Sequence, residues 1–199
     1  PLLNYEHYFE KNKTFLAYYN SKLAFLRRAS ILLTQSDSVS REGNKHIPFN
    51  KNNIVNTSTG LSLTLKKLSS KLLLPQDIVQ PFIFASGSQE PHKNLRRMVE
   101  AYASLPDSIR LKFSLVLGGN FSKGWIEKVQ KKAHQQGLSA NSLKFPGKIH
   151  DDKLQVLYKC CSLFIFPSWH EGFGLPVLEA MACGAPVICS NTTSLPEVI

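Results

Sequence analysis

The sequence predicts an α/β fold, a parallel sheet covered by helices on both faces. Three observations predict it. Five short apolar runs, each long enough for a buried strand, recur between residues 81 and 190. Segments with apolar residues at helical spacing separate them, and these segments stop at Gly or Pro. The composition is that of a globular chain, with 43% apolar, 10% aromatic and 19% charged residues among 199. Strand and helix in strict alternation argue for a parallel sheet buried on both sides.

The elements follow in order. PFIFASG (81–87) is a buried strand that ends on glycine and feeds a loop. Leu95, Met98, Val99 and Tyr102 mark one face of a helix that Pro106 closes. LKFSLVLGG (111–119) is the next strand, with Gly118-Gly119 as its turn. Ile126, Val129 and Ala133 mark a helix that stops at Gly137. LKFPGKI (143–149) is a third strand or strand end, and Asp151 caps a helix with the face Leu154, Leu157, Tyr158 and Cys161. LFIFPS (163–168) is the fourth strand. A helix over 176–183 has Pro176 near its start and Gly184 past its end, and PVICS (186–190) is the fifth strand. Ligands of such sheets lie beyond the carboxyl ends of the strands, so the loops after 87, 119, 149 and 168 are the places to seek function.

Residues 1–80 read differently. Leu16, Tyr19, Leu23 and Leu26 form a helical stripe that ends at Arg27-Arg28. ILLTQS (31–36) is a strand and NIVNTST (53–59) a second. Two strands cannot build an independent core. Residues 1–62 are therefore read as the tail of a preceding domain, 63–80 as a linker rich in Ser, Lys and Leu, and 81–199 as the ligand-binding domain. No run of about 18 apolar residues is present, so no membrane-spanning helix is expected. The four cysteines form no metal-ligand spacing and are read as reduced. Residues 1–150 hold 22 basic against 9 acidic residues, and residues 151–199 hold 2 against 5. A basic body suits anionic partners such as phosphate-bearing ligands or an anionic membrane. Zinc-finger, helix-turn-helix and aromatic RNA-binding patterns are missing, so nucleic acid is not expected as a partner.

The stretch PSWHEGFGLPVLEAMACGAPVICS (167–190) carries the chemistry. Glu171 lies in a loop directly after a strand, and Gly172 and Gly174 let the backbone approach a ligand. The loop runs into a helix whose free N–H groups and positive end suit phosphate. Glu179, one turn into that helix, can accept hydrogen bonds from two vicinal hydroxyls. GSQEPHKNL (87–95) is the other anion-handling loop, and Lys93 projects a point charge from it. His170 is read as a packing or rim residue, because no carboxylate stands at a spacing to pair with it. His150-Asp151-Asp152 could suggest a metal site, but Asp151 as a helix cap is the simpler reading.

These residues resemble glycosyltransferase family 4, among the glycosyl transferases group 1, which are retaining enzymes with a two-domain GT-B fold. Glu171 and Glu179 match the family's E-x7-E, and EGFGLPVLEAMACGAPV, PHKNL (91–95), LKFPGKI and LYKCCSLFIFPS match its neighbouring segments. LRRASILLTQSDSVS (26–40) is similar to the end of its N-terminal domain. The resemblance implies a Rossmann-like donor domain preceded by a remnant of the N-terminal, acceptor-side domain, truncated at both ends. It implies Lys93 and Glu171 as the catalytic pair. Lys93 would bind the donor diphosphate and stabilise the leaving group, and Glu171 would hold a hexose hydroxyl. Donor contacts would come from Gly87 and Ser88 and from the backbone of Gly172, Phe173, Gly174 and Leu175. Glu179 would hold the ribose, and Lys148 and Ile149 would line the base.

The resemblance also implies the reaction, a hexose, foremost mannose, moved from a nucleotide diphosphate sugar to a glycan or lipid-linked acceptor. The anomeric configuration would be kept through an oxocarbenium-like transition state, with no metal and no other cofactor. A donor-binding fragment without catalysis is the alternative. A cytoplasmic place is expected, with peripheral docking on the inner membrane face. The sequence departs from the family at Ser88, where many relatives have Arg, and at Thr59-Gly60-Leu61-Ser62, where they have Asn-Gly-Val-Asp.

Overall fold

The computed structural model describes residues 13–47, 53–61 and 73–199. They fall into two compact units. The first comprises the described residues up to Gly60 together with 170–174 and 192–198, and the second comprises the described residues of 61–169, 175–191 and Ile199. Segments 170–174 and 192–198, expected with the ligand-binding domain, thus group with the N-terminal residues. Most of the expected linker, residues 63–72, lies outside the described residues. Its described end is partly packed, with Ile78 buried.

The second unit holds a five-stranded, wholly parallel sheet. Its strands are β3 (Phe82–Ser86), β4 (Ser114–Gly118), β5 (Leu143–Lys144), β6 (Leu163–Phe166) and β7 (Val187–Cys189). The order is β5-β4-β3-β6-β7. Register pairs Phe82 with Ser114 and Ser86 with Gly118, and Ile83 with Leu163. The chain builds outward from β3 in one direction, then returns and builds outward through β6 in the other. The loops after β3 and β6 therefore diverge, and a crevice opens at the carboxyl ends of these two neighbours.

Strand pleating divides the core. Ile83, Ala85, Leu115 and Leu117 join one apolar cluster with α3 (Leu95–Ala103) and α5 (Lys123–Gln135), which present Leu95, Met98, Val99, Tyr102 and Trp125, Val129, Ala133. Phe82, Phe84, Phe164 and Phe166 alternate with these along the strands and are fully or almost fully buried. Tyr158 of α6 (Asp151–Cys160) meets Phe84 and Phe164 edge-on, at centroid distances of 5.6 and 5.0 Å. α7 (Leu175–Ala182) adds Val177 and Ala180.

Three element readings need correction. The strand expected from Leu111 begins at Ser114. A one-turn helix, α4 (Asp107–Arg110), precedes it and leaves Leu111 in solvent. The run 143–149 pairs over only two residues, because the backbone turns away at Gly147 with φ 75°. Asp151 is the first helical residue and not the cap. His150 holds the cap position with extended backbone, and the two aspartates complement the positive helix end instead.

The first unit contains α1 (Lys13–Leu26), β1 (Leu32–Thr34), α2 (Asp37–His46) and β2 (Ile54–Asn56). The stripe Leu16, Tyr19, Leu23 and Leu26 is the half-buried face of α1. β1 and β2 pair in parallel, Leu32 with Ile54 and Thr34 with Asn56. The sequence reading lacked α2. Ser36 caps it by accepting a hydrogen bond from the Val39 N–H at 3.2 Å.

Candidate functional site

In the sheet unit the predicted residues cluster at the strands' carboxyl ends. After β3 the chain makes a 3-10 turn, Pro91–Lys93, and enters α3 through Asn94 in the left-handed conformation, φ 58°. Two hydrogen bonds staple this loop to the one after β6. The Asn94 amide Nδ2 donates to the Pro167 carbonyl at 3.1 Å, and the Trp169 N–H donates to the His92 carbonyl at 2.8 Å. The Lys93 ammonium stands 5.6 Å from the ring centroid of Phe166, the last residue of β6. Lys93 is thus held at the crevice between β3 and β6.

The neighbouring loops are tied together as well. The Gly87 N–H donates to the Gly118 carbonyl at 2.9 Å, and the Gly119 N–H donates to the Gly147 carbonyl at 3.1 Å. A Cβ at Gly119 would stand 1.9 Å from the Gly87 carbonyl oxygen, and one at Gly118 would stand 2.5 Å from Ile149 Cδ1. These close approaches fix the backbone before exposed Lys148 and half-buried Ile149. At Gly87 a Cβ would meet only ordinary contacts, so crowding does not demand that glycine. The Ser88 hydroxyl accepts from the Glu90 N–H at 3.4 Å, within its own loop.

Glu179 lies half-buried on α7, and its Oε2 accepts a hydrogen bond from the Tyr158 hydroxyl at 3.2 Å. Burial raises the Glu179 carboxyl above the ordinary carboxylate range, and nearby Asp151 adds to the rise, while the Tyr158 bond opposes it. Tyr158 itself is raised by burial first and then by the Glu179 charge, so it stays a donor. Among the described residues no three His, Cys, Asp or Glu side chains group so as to hold a metal ion.

The loop His170–Gly174 belongs to the other unit and continues directly into Leu175, the first residue of α7. Its backbone is clamped. The Glu171 N–H donates to Thr193 Oγ1 at 3.1 Å, and the Ser194 hydroxyl donates to the Glu171 carbonyl at 3.0 Å. The buried Ser36 hydroxyl donates to the Gly172 carbonyl at 2.8 Å. Gly174 has φ 106°, and a Cβ there would stand 2.6 Å from Leu195 Cδ2, so only glycine fits. Phe173 is half-buried. His170 is buried, and its Nε2 lies 2.7 Å from Glu42 Oε1 on α2. A partner carboxylate does exist for His170, then, but it comes from 128 residues upstream, beyond the reach of spacing arguments.

This geometry meets one further fact. Residues 69–199 match the family described as glycosyl transferases group 1. The chain belongs to that family. The group 1 match covers both the Lys93 loop and the E-x7-E segment. Relatives agree with it. The chain is 36% identical over 209 residues to the serotype-specific mannosyltransferase WbdA of Escherichia coli, covering all of this chain and 25% of that one. It is 36% identical over 179 residues to the O-antigen chain mannosyltransferase B of Escherichia coli, covering 87% of this chain and 46% of that one. The chain thus spans about a quarter to a half of these relatives. The fold matches that of Anabaena HepE, solved in complex with UDP and glucose, at TM-score 0.73 and 21% identity over 90% of this chain and 50% of that one.

Several residues escaped the sequence reading. Tyr158 was assigned only to a helix face, since nothing local marks a tyrosine whose hydroxyl reaches a carboxylate 21 residues on. Ser36, Glu42, Thr193 and Ser194 contact the loop from far along the chain, and no motif connects them to it.

Proposed function

We propose that the chain forms the donor-binding part of a retaining, family 4 type hexosyltransferase that takes a nucleotide diphosphate sugar. One observation carries this reading. Lys93 and Glu179 follow the neighbouring strands β3 and β6, at the place where the loops diverge. A cation on one side and a hydroxyl-accepting carboxylate on the other suit a diphosphate joined to a ribose. Glu179, its geometry set by Tyr158, holds the ribose hydroxyls. The turn around Gly119 and the backbone at Lys148-Ile149 line the base. Gly87 and Ser88 edge the diphosphate, and Lys93 offsets the charge that develops on it as the glycosidic bond breaks. Glu171 holds a hexose hydroxyl, with the backbone of Gly172, Phe173, Gly174 and Leu175 around the sugar phosphate. Lys93 and the α7 N-terminus supply the charge compensation that a bridging metal would otherwise give.

Mannose is the proposed hexose, supported by the two mannosyltransferase relatives, and a glycan or lipid-linked molecule is the proposed acceptor. The basic body suits peripheral docking on an anionic, cytoplasmic membrane face. No helix among the described residues is long and apolar enough to cross a membrane. Calorimetric titration with GDP, UDP and ADP tests the reading. One nucleotide is expected to bind, with Lys93→Ala weakening it by about tenfold or more. Absence of nucleotide binding, or a Lys93→Ala variant that binds as well as the parent, would overturn it.

A further inference from the structure

We propose that Glu42 and His170 form a positioning pair that holds Glu171 in register for the hexose, so that α2 serves donor recognition without touching the donor. The inference rests on the donor reading above. Its basis is the convergence of independent contacts on one short loop. Both backbone polar atoms of Glu171 are hydrogen-bonded, to Thr193 and Ser194, and the Gly172 carbonyl is bonded to Ser36. The side chain immediately before Glu171 is buried and lies 2.7 Å from Glu42, whose own side chain is 16% exposed. α2, which carries Glu42, is fixed in turn. Glu197 accepts the Asp37 and Ser38 N–H groups at 2.8 Å each and lies 3.6 Å from Arg41.

The contacts close a circuit. Segment 193–197 grips the loop at one end and α2 at the other, and α2 grips the loop through Ser36 and Glu42. With the backbone held on both sides, the Glu171 side chain keeps only its own rotamers. That is the preorganisation a hydroxyl-selecting carboxylate requires.

The test compares two ligands, GDP and GDP-mannose, by calorimetry on the full chain. The ratio of their dissociation constants reports the hexose contacts, and the GDP constant alone reports the rest of the site. His170→Ala is expected to shift the ratio by about tenfold while GDP binding stays within about twofold. His170→Gln, which retains a donor toward Glu42, should restore most of the ratio. Glu171→Ala should shift the ratio likewise, and adding His170→Ala to it should change nothing further. Should His170→Ala fail to fold, Glu42→Ala gives the same readout at a more exposed position. An unchanged ratio in these variants, with GDP still bound, overturns the positioning pair and leaves the donor reading standing. If UDP or ADP binds the parent in place of GDP, that nucleotide and its hexose conjugate take the place of this pair; no binding of GDP, UDP or ADP to the parent chain overturns both.

Discussion

Glu179 shows what partial burial does to a single carboxylate. Half-buried against Tyr158, its carboxyl is raised above the ordinary range by desolvation first. The folded chain therefore holds this proton more tightly than the unfolded chain does. Stability from this group is present at low pH and falls as pH rises from about 4 through the raised value. Glu179→Gln should accordingly melt at the same temperature as the parent or higher near about pH 7, with the gap closing below about pH 4. A parent chain that melts higher than the variant at neutral pH would contradict this. Tyr158→Phe keeps the buried ring and removes the hydroxyl. It should leave the fold intact and weaken nucleotide binding severalfold, by about 0.5–1.5 kcal/mol for one lost hydrogen bond. Lys93, Glu171 and Glu179 were open to proposal from the sequence because they sit in contiguous motifs. Tyr158 and Glu42 were not, since their contacts depend on partners brought close only by the fold.

At the scale of elements, sequence reading succeeded where periodicity was strong. β3, α3, α5 and α6 each place a full apolar face against the core, and each appears close to its expected bounds. It failed at α2, whose ten residues DSVSREGNKH contain one strongly apolar side chain, Val39, and so no stripe to detect. α2 is built from its ends instead. Ser36 and Glu197 satisfy its first N–H groups, Asp37 lies in its first turn, and Lys45 and His46 lie in its last. Glu197→Ala removes acceptors from two N–H groups and is expected to cost about 0.5–2 kcal/mol, the ordinary range for a lost cap. Denaturant unfolding would measure it, and a midpoint equal to the parent's would count against the cap. The turn after β4 gives a sharper case. Gly119→Ala drives a methyl into the Gly87 carbonyl and should destabilise by about 1–3 kcal/mol while disturbing the loop before Lys93. Wild-type stability in that variant would mean the two turns do not approach as closely as described.

For the molecule as a whole, alternation of strands and helices foretold a parallel sheet, but not the order of its strands. The order β5-β4-β3-β6-β7 depends on the chain's return across β3, which no local pattern encodes. That return decides which two loops flank the crevice. Charge is the other global property, with 22 basic and 9 acidic residues in the first 150. If this excess serves membrane docking, the chain should sediment with vesicles containing phosphatidylserine and be released as salt approaches about 1 M, where charges are screened within about 3 Å. Equal sedimentation with neutral vesicles would assign the excess to solubility alone. The grip of Thr193, Ser194 and Glu197 on the loop and on α2 also bears on where this chain can be cut. A boundary drawn at residue 190 keeps the seven strands seen among the described residues and the Tyr158–Glu179 contact. If Glu171 holds the hexose as proposed, a protein cut there is expected to keep its nucleotide affinity and to lose its discrimination between sugars. Donor screens on trimmed versions of this chain would then report the base faithfully and the hexose falsely.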